Sequence, residues 1–404
     1  MAHIYIHYPY CLYKCHYCDF NSYALDKNEI ARKPFAELIS AEIQNRARLW
    51  QEKETHFLMP GRTIASIFFG GGTPSLMDPA NAAKIIAELA KIYKIADDCE
   101  ITLEANPGTL TADKLKAFAA AGINRLSLGL QSLDDRFLKD FGRIHDANTG
   151  IVALEMALAS PIKRVSTDFI FGFPGQSLGD WEKDLAQILT YSMTHLSCYA
   201  LTAEEGTRFA SDVKIGRLQE TDGDLFSDML QITHETLGKA GLPAYEISNF
   251  AKPGFESQHN LGYWNYHSYL GLGPGAVSQF FPKDSDDTFS LRDQNIKGPD
   301  AYAAGLVNEK YFTSESINKK TAMTEFLMMG LRLREGILLE NFAQQFEVSL
   351  FDVYSEALKR IQKRGLARLD DGRLKPTQEG LYLNHKLILE FMDSSEFPHT
   401  LSDL

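Results

Sequence analysis

The sequence predicts an α/β fold: a partial, TIM-like (β/α)6 barrel followed by a smaller, mostly helical, winged-helix-like C-terminal domain. Three observations lead there. The first half alternates six near-continuous apolar, β-rich runs with amphipathic segments, the pattern of βαβ units in a parallel sheet. Polar and glycine residues stand at or just after the ends of these runs, where parallel α/β folds place their ligands. Beyond about residue 320 the periodicity becomes helical and is interrupted by a hairpin signal.

The β-rich runs are HIYIH (3–7), ASIFF (65–69), CEITLEA (99–105), RLSLGL (125–130), RVSTDFIFG (164–172) and HLSCYAL (195–201). Amphipathic segments near 34–50, 80–93, 111–121, 134–158 and 178–191 lie between them. Six strands fall short of a complete eight-fold barrel, so an open or partial one is expected. Residues 202–300 hold helix-like stretches, the β-like run YEISNF (245–250), and the aromatic, glycine-rich stretch HNLGYWNYHSYLGLGPG (259–275). The polar segment 281–300 reads as a loop. In ARLDDGRLKPT (367–377), Asp370, Asp371 and Gly372 read as a hairpin turn between two short strands. Three regions follow: 1–205 as the (β/α) core, 206–315 as a connecting extension, and 316–404 as the C-terminal domain.

A chain of 404 residues suggests one large domain and a smaller one, and 44% apolar with 23% charged residues fits a globular protein. The net charge of −12 repels polyanions, so no general attraction to nucleic acid or anionic membrane is expected, and the tail carries no dense basic patch. No long uncharged apolar run predicts a transmembrane span. The start, MAHIYIHYPYC, lacks the basic segment and apolar stretch of a signal peptide. Five cysteines, three of them within eight residues, favour metal binding in a reducing compartment over a disulfide framework, so a cytoplasmic protein is expected.

The cysteine cluster carries the strongest chemistry. YCLYKCHYCDF places Cys11, Cys15 and Cys18 in a Cys-x3-Cys-x2-Cys spacing after the first strand. Three thiolates on one loop can hold three irons of a cubane cluster and leave the fourth open to an exogenous ligand. A zinc site completed by His16 or His7 is the rival on spacing alone. Cys99 and Cys198 lie inside strands and read as small buried apolar residues.

Further polar groups stand at successive strand ends. Gly70, Gly71, Gly72 and Thr73 follow ASIFF; glycines there let the backbone approach a ligand and present N–H groups. Glu104, Gln131 and Asp168 are polar residues in or at the ends of apolar strands, where burial is costly without partners. Taken together they suggest a shared ligand. Arg143, in FGRIHD, is suited to pairing with a carboxylate.

CLYKCHYC resembles the signature of the radical S-adenosylmethionine proteins, in which an aromatic residue, here Tyr17, usually precedes the third cysteine. The resemblance implies a 4Fe-4S cluster on Cys11, Cys15 and Cys18. It implies S-adenosylmethionine chelated to the open iron through its amino and carboxylate groups, and a 5′-deoxyadenosyl radical formed by one-electron cleavage. It further implies S-adenosylmethionine contacts at Tyr5, Tyr17, Gly71, Gly72, Thr73, Glu104, Gln131, Arg143, Asp168, Ala200 and Val277, with Tyr5, Ala200 and Val277 carried by resemblance alone.

From about residue 2 to 380 the chain is most similar to the HemN/HemW group, which comprises oxygen-independent coproporphyrinogen dehydrogenases and related heme chaperones. IHYPYC, FFGGGTPSL, LEANPG, GLQSLDD, DFIFGFPGQS and YEISNFA carry that likeness. Three features separate the branches. Phe20 stands where the dehydrogenases have a fourth cysteine. The first strand begins at about His3, without their N-terminal extension. HNLGYW (259–264) matches the His-Asn-x-x-Tyr-Trp motif of the chaperones.

The resemblance therefore implies a HemW-type heme chaperone that passes heme to an acceptor such as a respiratory hemoprotein. An electron donor such as flavodoxin or ferredoxin would serve the cluster. His259 is suited to axial ligation and Tyr263 and Trp264 to stacking beside a porphyrin, with His267 close enough to substitute for His259. Two rivals stay open: a radical enzyme that oxidatively decarboxylates a porphyrinogen, and a zinc-stabilised binding module using the winged-helix-like tail.

Overall fold

The computed structural model of the chain describes residues 2–52, 62–281 and 288–392. β1 (Ala2–Tyr8) leads into the cysteine loop, which is clasped by the short parallel pair β2 (Tyr10–Cys11) and β3 (Tyr23–Ala24). The core strands follow: β4 (Thr63–Gly71), β5 (Lys94–Ala105), β6 (Arg125–Gln131), β7 (Arg164–Phe171) and β8 (His195–Ala200). Each of the six expected runs falls on one of these core strands, those at 164–172 and 195–201 running one residue past the strand's end. Helices Phe35–Glu52, Pro79–Ile92, Ala112–Ala120 and Leu178–Ile188 occupy four of the expected amphipathic segments, and the segment 134–158 divides into Asp135–Asp140 and Ala147–Leu158. Gly142, at φ 72°, lies in that break, immediately before Arg143.

The six core strands run parallel in the order β1-β4-β5-β6-β7-β8. Among the described residues β8 pairs on its far side with the antiparallel β9 (Asn249–Ala251) and not with β1, so the barrel stays open. Strand alternation sorts the side chains of β1. Ile4 and Ile6 are fully buried in the main apolar core, each burial contributing about 1.5–3 kcal/mol, while the alternate positions carry His3, Tyr5 and His7.

The region after residue 205 contributes more strand than its sequence suggests. β10 (Tyr269–Leu272) pairs parallel to β1, and an antiparallel meander of β11 (Val277–Phe280), β12 (Ser290–Asn295) and β13 (Phe312–Ile317) continues outward. Among the described residues this gives one sheet of eleven strands. The segment 281–300 is thus not simply a loop: β12 lies in it, although residues 282–287 fall outside the described residues. Its polar positions mislead because Asp293 and Asn295 are buried, both bonded to Arg46 of the helix Phe35–Glu52, where Arg46 also pairs with Glu42. YEISNF is mostly irregular, with regular strand only at 249–251.

The C-terminal domain has its own core, in which Phe326, Phe342 and Phe346 pack edge-on or tilted at 4.8–5.7 Å between ring centres. Helices Lys319–Gly330, Leu339–Phe346 and Leu350–Lys363 precede a hairpin of β15 (Ala367–Asp370) and β16 (Arg373–Pro376), and the short β14 (Ile337–Leu338) pairs with β16. Asp371 and Gly372 both take positive φ, 48° and 69°, as a tight two-residue hairpin turn requires.

Candidate functional site

The cysteine loop leaves β1 at the C-terminal end of the parallel sheet and is held in shape by its neighbours. The Lys14 ammonium donates to the carbonyl of Phe20 at 3.1 Å. The His16 backbone N–H donates to the Phe141 carbonyl at 3.1 Å, and its Nδ1 lies 2.8 Å from the Asp140 carbonyl oxygen. Cys11, Cys15 and Cys18 are free thiols that line one cavity of about 370 Å³. Burial pushes the Cys11 thiol up and raises Cys18 to about 11.

Side-chain donors reach the cysteine sulfurs. The Thr73 hydroxyl donates to Cys11 Sγ at 3.3 Å, and Arg143 Nη1 to Cys15 Sγ at 3.6 Å. Arg143 is half-buried, and desolvation opposes its charge, but Tyr17 and Cys15 outweigh that cost and raise its pKa. Its Nη2 donates to Asn106 Oδ1 at 2.5 Å and to the Gly129 carbonyl at 2.8 Å, while Nε finds no partner among the described residues.

The glycine turn after β4 approaches the same cavity. Gly71 has φ 108°, and a Cβ there would sit 2.6 Å from the His7 ring, so both backbone and packing require glycine. The N–H groups in this turn are already engaged: Gly71 donates to Glu104 Oε2 at 3.1 Å, Gly72 to the Tyr8 carbonyl and Thr73 to the Tyr10 carbonyl. The turn therefore offers a ligand close backbone approach rather than a nest of free donors.

Glu104 and Asp168 are half-buried carboxyls facing this space. Burial, then the nearby Asp168, raises Glu104 to about 8. Burial also raises Asp168, although Ser127 donates to its two oxygens at 3.1 and 2.9 Å. Gln131 takes φ 69°, uncommon outside glycine, where the register between β6 and β7 shifts.

The cavity is thus lined by Cys11, Cys15, Cys18, Tyr17, Gly71, Gly72, Thr73, Glu104, Gln131, Arg143, Asp168 and Ala200. Tyr5 and Val277 do not line it. Tyr5 lies behind, its hydroxyl 2.9 Å from His7 Nδ1 and its ring stacked on Phe68, whereas Val277 is in β11, two strands beyond β1. Phe20 is 56% exposed at the cavity wall. Asn106, Ser127 and Asn260 line the cavity too, and the sequence reading passed over them. Asn106 had a signal, since it follows the strand end in LEANPG, and Asn260 is the second residue of HNLGYW; Ser127, inside β6, had none of comparable strength.

HNLGYW lies in a short helix, Gln258–Trp264. The buried Glu100 docks its start, accepting from the His259 N–H at 3.1 Å and the Ser257 hydroxyl at 3.4 Å, while pairing with Arg164 at 3.2 Å. His259 is 1% exposed and both its ring nitrogens have partners: Nδ1 lies 2.8 Å from Ser66 Oγ and Nε2 3.0 Å from the Tyr263 hydroxyl. Burial holds its pKa well below the usual histidine value, so it is neutral. Ser66 Oγ also lies 2.8 Å from His3 Nδ1, and His3 Nε2 lies 3.2 Å from His267 Nδ1. A hydrogen-bonded chain thus runs Tyr263–His259–Ser66–His3–His267.

Beside this chain lies a groove of about 430 Å³ between the helix Gln258–Trp264, the antiparallel meander and the helix Lys319–Gly330. Tyr263, Trp264, Tyr269, Met328 and Met329 give it large apolar surfaces, and exposed His267 stands in its wall. Arg332 lies over the Trp264 ring, 4.5 Å from its centre.

Comparison with known proteins places this arrangement. Residues 5–188 match the model of the Radical SAM superfamily, and residues 317–383 match that of the HemN C-terminal domain. The heme chaperone HemW of Haemophilus influenzae is 35% identical over 387 residues, covering 96% of this chain and 97% of that protein. The radical S-adenosyl methionine domain-containing protein 1, mitochondrial, of Bos taurus is 37% identical over 402 residues, covering 97% of this chain and 87% of that protein. The solved structure of coproporphyrinogen III oxidase HemN from Escherichia coli superposes with a TM-score of 0.78 at 20% identity, covering 96% of this chain and 90% of that one, which is a likeness of fold.

Proposed function

The chain belongs to the HemW heme chaperone family of the radical SAM superfamily, and from that membership we propose that it binds heme and transfers it to an acceptor hemoprotein while carrying a 4Fe-4S cluster with exchangeable S-adenosylmethionine. The observation that carries the cluster is the convergence of three thiols and two sulfur-directed donors on one cavity at the C-terminal end of a parallel sheet. Without a cation, burial favours protonated thiols, as at Cys11 and Cys18. A metal inverts that preference and holds the sulfurs as thiolates, so the donor set fits an iron-sulfur cluster.

Cys11, Cys15 and Cys18 would hold the cluster, which supplies one-electron chemistry when bound. Glu104 and Asp168 would accept hydrogen bonds from the ligand's amine or ribose hydroxyls. Arg143, close to Cys15, would meet a carboxylate, its free Nε being a buried donor that lacks a partner among the described residues. The glycine turn would let the ligand lie against backbone. An electron donor such as flavodoxin or ferredoxin would serve the cluster, and the heme acceptor would be a protein such as a respiratory hemoprotein. No helix among the described residues is long and apolar enough to cross a membrane.

The test is anaerobic reconstitution with iron and sulfide, followed by hemin titration. Native protein is expected to hold about four irons per chain for one cubane. Replacing Cys11, Cys15 or Cys18 with Ala should abolish the cluster, whereas Cys99→Ala and Cys198→Ala should retain it. Zinc in place of iron, or no uptake of hemin, overturns the proposal.

A further inference from the structure

Resting on the reading that the chain binds heme, we infer that His267, not His259, supplies the imidazole to the heme iron, in the groove between the helices Gln258–Trp264 and Lys319–Gly330. A histidine that ligates a metal needs one ring nitrogen with a free lone pair facing the site, and its other nitrogen usually donates to a fixed partner that sets tautomer and ring orientation. His267 meets both conditions. Its Nδ1 is tied to His3 Nε2 at 3.2 Å with the two ring planes nearly parallel, 15° apart, and its ring is exposed on the groove. His3 is itself fixed through Nδ1 by Ser66.

His259 meets neither condition. Its ring is buried, and iron at either nitrogen would have to displace Ser66 or the Tyr263 hydroxyl. Its place is at the far side of the chain, where it holds Ser66, which holds His3, which orients His267. The motif HNLGYW then works by positioning: His259 anchors the chain, and Tyr263 and Trp264 present their rings to the groove.

The groove suits the rest of the ligand. Its volume, about 430 Å³, lies within the ~300–1,000 Å³ range of cofactor pockets. Trp264, Tyr269, Met328 and Met329 provide apolar and polarizable walls for a flat macrocycle. Porphyrin carboxylates need donors, and the groove carries two buried ones, Trp264 Nε1 and Gln279 Nε2, that have no partner among the described residues, while Arg292 beside them is already paired with Glu325 at 2.7 Å and Glu315 at 3.1 Å.

The experiment titrates hemin into the full-length protein and reads axial ligation by absorption, electron paramagnetic resonance and resonance Raman spectroscopy. Native protein is expected to show an imidazole-ligated heme. His267→Ala should lose that signature and recover it on addition of free imidazole, which shows that the groove is intact. His259→Ala should keep the signature. His3→Ala should keep it with about 10–100-fold weaker binding, the usual cost of losing a partner that orients a ligand. Retention of the native signature by His267→Ala, or its loss in His259→Ala alone, overturns the ligand assignment while the heme-carrier reading stands. A native protein that takes up no hemin overturns both.

Discussion

The Thr73 hydroxyl donates to the Cys11 sulfur at 3.3 Å, which joins the turn at the end of β4 to the cysteine loop that follows β1. A donor aimed at a cluster sulfur favours the reduced, more negative state, so it raises the reduction potential. Thr73→Val should therefore make the reconstituted cluster harder to reduce, and Thr73→Ser should stay near the native value. A redox titration monitored by electron paramagnetic resonance decides it, and equal potentials in all three proteins would show that the bond does not reach the cluster.

Glu104 gives S-adenosylmethionine binding a pH dependence. Its carboxyl titrates near 8, so at neutral pH it is mostly protonated in the unliganded protein. A sulfonium with amine or hydroxyl donors favours the carboxylate, so binding releases that proton. Affinity should rise with pH by up to about tenfold per unit and level off above about 8. Glu104→Gln should bind more weakly at high pH and show a flatter profile by calorimetry. A native profile flat from pH 6.5 to 8.5 would remove Glu104 from the ligand shell.

Gly262 is needed because of His3. A Cβ at 262 would lie 2.5 Å from His3 Nε2, the atom bonded to His267. Gly262→Ala should cost about 1–3 kcal/mol, as overpacking in a filled interior does. It should also weaken hemin binding by displacing the His3 ring. Thermal unfolding and hemin titration of the variant check the two effects, and unchanged values in both would mean that the ring moves aside without consequence.

Phe20 leads to an expectation about catalysis. It is 56% exposed at the cavity wall, at the position where the resemblance implies a fourth cysteine in the dehydrogenases. The protein is expected to bind heme without converting coproporphyrinogen to protoporphyrinogen. An anaerobic assay with reductant and S-adenosylmethionine should yield no vinyl product. Stoichiometric turnover there would make the chain an enzyme.

Local sequence determined what depends on neighbours in the chain. The spacing of Cys11, Cys15 and Cys18, the glycine turn, the six parallel strands and the Asp371–Gly372 hairpin turn are short-range patterns, because side-chain periodicity and turn chemistry act over a few residues. Glu104, Gln131 and Asp168 were legible for the same reason: each is a polar residue in or at the end of an apolar strand. Tertiary structure alone decided the rest. β12 was hidden because its polar residues are satisfied by Arg46, almost 250 positions earlier in the chain. The role of His259 was hidden too, because its partner Ser66 is 193 residues away and the contact between His3 and His267 spans 264. Whether a histidine is a buried link or an open ligand depends on which of its nitrogens already has a partner, and those partners are brought together only when β10 pairs with β1 and the helix Gln258–Trp264 packs against them.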